Sequence, residues 1–122
     1  MKTIKNVYTF YESIILDNID LSGYNIEANS NFDKVQAVYK IFLSEYGHEI
    51  ARQRGNKVAA FREWLGGLPS VLTVPFYYSE QLNRAYIHGI IAANATEEQE
   101  DVFCQSFFQN CAEAFFTLYD NL

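Results

Sequence analysis

The sequence has few cysteines and prolines, two of each, and no apolar run long enough to cross a bilayer. Cys104 and Cys111 lie seven residues apart, which on one helix is about 10 Å and too far for a disulfide between them. The first residues lack the apolar core of a secretory signal, because Asn6 and Glu12 interrupt it. Reduced thiols and the missing signal predict a cytoplasmic protein.

Basic residues are scarce in the second half of the chain. Residues 1–61 carry seven basic and seven acidic side chains, whereas residues 62–122 carry two basic against eight acidic, a net charge of 2 − 8 = −6. Nucleic acid is therefore a disfavoured partner, since phosphate binding needs Lys and Arg. The densest acidic group comprises Glu97, Glu98, Glu100 and Asp101. It is predicted to contact a basic protein partner, and the alternative is a solvated acidic face.

No catalytic or metal-binding motif is visible. His48 and His88 are isolated, and Glu49 follows His48 without the second histidine of a metalloprotease helix. There is no phosphate loop, nucleophile elbow or dinucleotide fingerprint. We therefore predict no catalytic residue, no metal, no cofactor and a protein that is not an enzyme.

The sequence contains enough apolar and aromatic residues to form one hydrophobic core. With 122 residues, 49% apolar residues and 16% aromatic residues, the chain suits a single globular domain spanning 1–122. Apolar residues recur mostly at helical spacing. The pattern predicts an all-α fold of about five helices with a short extended connection near 70–74.

Two helices are predicted in the first half. Residues 3–17 fit a helix capped by Thr3, with a hairpin as the alternative because β-branched and aromatic residues lie within it. Residues 18–31 read as a loop pinned by Leu21, Tyr24 and Ile26. A second helix is predicted from Asn31 to Gly47 or a little beyond, with an inward stripe of Phe32, Val35, Tyr39, Phe42 and Tyr46.

Residues 56–89 predict two further helices separated by a stop signal. Asn56 can cap the first, Gly66 is expected to end it in a left-handed conformation, and Leu68 should make the apolar contact that accompanies such an end. Pro69 blocks continuation, and Pro75 suits the first turn of a helix ending at His88, with Gly89 as its terminator.

The last helix is predicted to start at the capping box Thr96-Glu-Glu-Gln99. Its apolar band is wide and contains five phenylalanines: Phe103, Phe107, Phe108, Phe115 and Phe116. A band this wide indicates either the central helix of the fold or a seam with a second subunit, which would make the protein a homodimer through its C-terminal helix.

One cluster of polar side chains near 62–84 could still be catalytic, and its Arg62, Tyr77, Tyr78 and Arg84 could bind a small molecule or nucleotide. It comprises Arg62, Glu63, Tyr77, Tyr78, Glu80 and Arg84. Exposed helix pairs and packed tyrosines are the structural alternative for the same residues.

The same region carries a resemblance. Residues 62–70 read Arg-Glu-Trp-Leu-Gly-Gly-Leu-Pro-Ser, and residues 74–80 read Val-Pro-Phe-Tyr-Tyr-Ser-Glu. These two runs resemble a motif of small uncharacterised proteins carried by phages, plasmids and integrative elements. The resemblance supplies no catalytic residue, and it implies a mobile-element setting in which short cytoplasmic proteins often act by binding a host protein.

The function predicted from these observations is protein binding by a non-enzymatic phage or mobile-element accessory protein, with inhibition of a host defence system as one specific form. The expected contact residues are the acidic group together with Arg62, Tyr77, Tyr78 and Glu80. A small-molecule or nucleotide binder and a homo-oligomeric structural protein are the alternatives. No membrane and no direct nucleic-acid contact are expected.

Overall fold

The computed structural model describes residues 7–121. In that part of the chain there are five α-helices and no strand, which confirms the all-α prediction. Residues 7–17 are helical and not a hairpin, while Thr3 lies outside the described residues. A short 3₁₀ turn, Ser22–Tyr24, precedes the second helix. The helices are α1 (Val7–Asp17), α2 (Asn31–Arg52), α3 (Lys57–Gly66), α4 (Val74–Ile87) and α5 (Glu97–Asp120).

Helix α5 is the central helix of the fold, and it packs mainly against α1 and α3. Four of its five phenylalanines are buried in one hydrophobic cluster within the chain, and Phe103 is half-buried. The ring of Phe61 on α3 stacks on Phe115 with centroids 4.4 Å apart. The wide apolar band therefore fills an intrachain core, and a homodimer stays a prediction.

Side-chain caps fix where three helices begin. The Asn56 side chain accepts a hydrogen bond from the Ala59 amide at 3.1 Å, as predicted. The Thr96 and Gln99 side chains each bond the other residue's backbone amide, which confirms the predicted capping box. The cap of α2 is Ser30, whose hydroxyl accepts a hydrogen bond from the Asp33 amide at 3.1 Å.

Helix α2 continues past the predicted end at Gly47 to Arg52, but it is kinked. Tyr46 has non-helical backbone angles, φ −135° and ψ 15°, just before Gly47. Of the predicted inward stripe, Val35 and Phe42 are fully buried, whereas Phe32 is largely exposed. The loop before α2 is pinned by Leu21 and Tyr24 as predicted, but Ile26 is exposed.

The connection from α3 to α4 is short and packs on the loop after α1. The Asp20 amide donates to the Val71 carbonyl at 2.8 Å, and the Thr73 amide donates to the Asn18 carbonyl at 2.9 Å. An isolated antiparallel bridge joins Ile19 and Leu72. In segment 70–74, which was predicted to be extended, the Ile19–Leu72 bridge is the one instance of strand-like pairing. Helix α4 already begins at Val74. Residues 71, 72 and 74 are buried, so the connection anchors the start of α4.

The end of α3 differs from its prediction. Gly66 is still helical, and Gly67 follows with a φ of −84°. The left-handed residue is Leu68, with a φ of +58°, and its side chain is 72% exposed. The predicted apolar contact of Leu68 is therefore wrong, and a leucine occupies a backbone conformation that glycine adopts at no steric cost.

Replacing Leu68 with glycine should stabilise the protein. The change relieves a left-handed conformation that costs an L-residue about 1–2 kcal/mol, and it removes no buried side chain. Part of the gain is lost because glycine makes the unfolded chain more flexible, so we expect a net increase of about 0.5–1 kcal/mol in the free energy of unfolding. Urea denaturation measures it. Leu68→Ala, which keeps the strain, is the control, and equal stability of the two variants would contradict this account.

Helix α4 is packed more loosely than the other helices, and the candidate site lies next to its C-terminal end. Val74, Pro75 and Ala85 are its buried residues, and Phe76 and Ile87 are about 70% exposed. The rings of Tyr77 and Tyr78 attach α4 to α5 through Phe107. Past Ile87 the chain turns at Gly89, which has a φ of +72° and is the left-handed terminator predicted there.

Candidate functional site

An apolar groove lies between the turn after α4 and the first turns of α5. It has a volume of about 380 Å³. The side chains of Ile90 and Val102 in its wall are 74% and 65% exposed. We call it the α4–α5 groove; it is lined by Ile90, Ile91, Ala92, Gln99, Val102, Phe103 and Ser106.

Three carboxylates in the first two turns of α5 are exposed, and we call Glu97, Glu98 and Asp101 the acidic rim. Glu98 lies one helical turn before Val102, so the two share a helix face. Glu97 and Asp101, also four residues apart, lie on the face of α5 opposite the groove-lining residues, because successive helical residues are about 100° apart. The sequence after Arg84 contains no Lys or Arg, so nothing basic there neutralises the rim.

Glu100, the fourth member of the predicted acidic group, is engaged within the chain. Its carboxylate accepts a hydrogen bond from the Tyr86 hydroxyl of α4. This bond raises the pKa of the Tyr86 phenol, because the neutral phenol donates to the negative carboxylate. Glu100 therefore joins α4 to α5 and is half-buried, unlike the other three acids.

The tyrosines that were predicted contact residues pack inward. Tyr77 stacks on Phe107, and Tyr78 contacts Phe103, Phe107 and Phe108 with centroids 5.2–5.7 Å apart. Desolvation by burial raises the pKa of Tyr78, and its neighbour Cys104 adds to the shift. Burial also raises the pKa of Cys104, which keeps this thiol protonated at neutral pH.

The two polar residues at the start of the predicted cluster point to different partners. Arg62 donates from Nη1 to Oε1 of Gln109 on α5 at 2.7 Å. Glu63 instead accepts from Gln53 at 3.0 Å and from Arg52 at 3.4 Å, both at the end of α2. Arg52 also pairs with the buried Glu49. Arg62 therefore joins α3 to α5, and Glu63 joins α3 to the end of α2.

Glu80 and Arg84 are exposed on α4. Arg62 bonds to α5, Glu63 bonds to the end of α2, and the other polar residues lie on α4. The six residues of the 62–84 cluster are therefore not assembled into one pocket. Small-molecule binding by that cluster stays a prediction. Of the predicted contact residues, Glu98 is exposed and shares a helix face with the groove-lining Val102.

The groove residues Ile90 and Val102 were missed by the sequence reasoning. Val102 lies just before the Phe103 line of the α5 band, and Ile90 follows the terminator Gly89, where a loop was expected. One signal was present: aliphatic residues next to a helix terminator and inside an acidic helix start are unusual in fully solvated segments.

Across 7–121, no group of three or more His, Cys, Asp and Glu side chains is arranged to hold a metal ion. Among the helices of that range, none combines the length and the apolar character needed to span a bilayer.

The chain matches no protein-family model, no curated protein and no solved structure. Function must therefore be inferred from the groove and its surroundings.

Proposed function

We propose that this chain is a non-enzymatic accessory protein of a phage or another mobile element and that it acts by binding a second protein. The observation that carries the proposal is the α4–α5 groove, whose aliphatic walls are left open to solvent. Grouped exposed apolar side chains with a polar border are typical of interaction sites in proteins of this size. The motif resemblance near 62–80 supports the mobile-element setting.

The groove suits a protein partner better than a small substrate. Its lining offers five apolar side chains but only two neutral polar ones, Gln99 and Ser106. Small-molecule sites usually enclose their ligand and fix it with several placed polar groups. The exposed carboxylate of Glu98, on the helix face of Val102, extends the polar surface beyond the groove. Inhibition of a host defence protein is one specific form of this function.

Affinity capture from a lysate of the host cell tests the proposal. The immobilised protein should retain a protein that an Ile90→Asp/Val102→Asp variant retains about tenfold less well, because two carboxylates then occupy the apolar walls. Phe76→Asp is the matched control. It places a charge on an equally exposed apolar residue about 16 Å away from Ile87 along α4.

The control variant should capture the same protein as the unmodified chain. Circular dichroism and thermal melts of all variants confirm that each is folded. Capture that is unaffected by the groove substitutions, or no retained protein at all, would overturn protein binding through this surface.

A further inference from the structure

The second half of α4 and the turn after it lie outside the hydrophobic core, and we call this segment, residues 79–95, the α4 flap. Ala85 is the one buried residue in it. Along the described chain, the buried side chains of the core cluster skip from Val74 to Phe107. Segments with few buried apolar contacts open at a lower free-energy cost than the core does.

We infer that the α4 flap opens away from α5 while the core stays folded, and that the hydrogen bond between Tyr86 and Glu100 holds it closed. Because the flap supplies one wall of the α4–α5 groove, this bond also controls whether the groove is formed. As regulation of a binding site the inference rests on the proposed function, whereas the opening itself does not.

Backbone hydrogen bonds make the flap one unit. The amides of Ile90 and Ile91 both donate to the Ala85 carbonyl, at 2.9 and 3.2 Å. The Gly89 amide donates to the Tyr86 carbonyl at 3.2 Å. These bonds attach the turn to the last turn of α4, so the two move together. Residues 92–94, which follow the turn, are exposed and connect the flap to α5.

Among the described residues, a single side-chain hydrogen bond ties the flap to α5. The Tyr86 hydroxyl donates to the Glu100 carboxylate. A hydrogen bond to a charged acceptor contributes more than one between neutral groups. The first half of α4 has other attachments, since the rings of Tyr77 and Tyr78 pack on Phe107. Loss of the Tyr86 bond should therefore release the flap and not the whole helix.

Helix α5 is held at its start by its own contacts. The capping box of Thr96 and Gln99 satisfies backbone donors of the first turn. Acidic residues in that turn also meet the positive end of the helix dipole. Opening therefore separates the flap from a helix that stays formed.

The two walls of the groove belong to different parts of this arrangement. Ile90 and Ile91 line it from the flap, and Val102 and Phe103 line it from α5. When the flap opens, the walls part and the groove is lost. A protein bound between them would favour the closed state, because ligands stabilise the conformation that they bind.

Hydrogen exchange followed by mass spectrometry of peptic fragments tests the inference on the unmodified chain. After correction for intrinsic rates, amides of residues 82–91 should exchange at least about tenfold faster than those of residues 107–117 in the core part of α5. Phe61→Leu, which loosens the core, should speed exchange at 107–117 about fivefold and leave 82–91 unchanged.

Variants of the bond test what holds the flap closed. Tyr86→Phe removes only the hydroxyl and should speed exchange at 82–91 about tenfold, with no change at 107–117. Glu100→Gln keeps an acceptor but loses its charge, so its effect should be smaller. Tyr77→Phe is the matched control, because it removes a hydroxyl from the first half of α4, and it should change exchange at 82–91 less than twofold.

Any of three results would overturn the inference. They are equal protection of 82–91 and 107–117, a parallel response of both segments to Phe61→Leu, and equal exchange at 82–91 in Tyr86→Phe and Tyr77→Phe. If groove-dependent capture from lysate succeeds while one of these results is found, the proposed function stands and the opening is rejected. If the exchange results are as expected and no protein is captured, the opening stands and the proposed function is rejected.

Discussion

Replacing Phe61 with alanine should lower the free energy of unfolding by about 3–5 kcal/mol, the cost of deleting a fully buried phenylalanine from a core. Phe61 is inaccessible to solvent, and its ring contacts four other rings, those of Phe42, Trp64, Phe115 and Phe116, with centroids 4.4–5.3 Å apart. The cavity would open at the junction of α2, α3 and α5. Small domains have total stabilities of about 5–15 kcal/mol, so this loss is a large fraction of the whole.

Guanidinium denaturation followed by far-UV circular dichroism measures this loss. Phe76→Ala is the matched control, because the Phe76 side chain is exposed, and its change should stay within about 0.5 kcal/mol. If Phe61→Ala is too unstable to purify, Phe61→Leu, which keeps most of the volume, should cost about 1 kcal/mol and remain measurable. Similar losses at positions 61 and 76 would contradict the packing described for α3 and α5.

The features that were predicted well are those decided within a few residues. The capping box at Thr96 and the cap at Asn56 are local hydrogen bonds between a side chain and a backbone amide three residues away. Their geometry does not depend on the rest of the fold. The same holds for Gly89, where the terminator follows α4 directly.

The features that were missed depend on how helices meet. Gly66 was expected to end α3, yet the helix runs through it and the left-handed residue is Leu68. The following segment is held by backbone hydrogen bonds from Asp20 to Val71 and from Thr73 to Asn18. These partners lie about 50 residues away in sequence, and no local pattern reveals them.

The candidate site shows the same division. The acidic group was visible because like charges cluster in sequence, but the separation of Glu100 from its neighbours required the position of Tyr86 on α4. The groove was not predicted because the exposure of Ile90 and Val102 depends on where the turn after α4 lies relative to α5. Arg62 and Tyr77 are close in sequence, but they lie on helices that direct them to Gln109 and Phe107.

Raising the pH from 8 to 11 should destabilise the folded protein by about 3 kcal/mol through Cys111 alone. The thiol is fully buried on α5, and burial raises its pKa to about 12. In the unfolded chain the pKa of a cysteine is about 8.5. Between these two values the unfolded state has lost its proton while the folded state keeps it, so the free energy of unfolding falls as pH rises, by about 1.4 kcal/mol per pH unit.

Denaturation at several pH values separates Cys111 from the other groups that titrate. Cys111→Ala should cost about 1 kcal/mol at pH 7 because it leaves a small cavity, but its stability should fall less steeply above pH 8.5. The two stability curves therefore cross near pH 9, about where the loss from Cys111 reaches 1 kcal/mol. Cys104→Ala, at a half-buried thiol of the same helix, should reduce the slope less. Parallel curves for the unmodified chain and Cys111→Ala would mean that this thiol ionises in the folded protein as freely as in the unfolded one, which its burial beneath α1 and α3 does not permit.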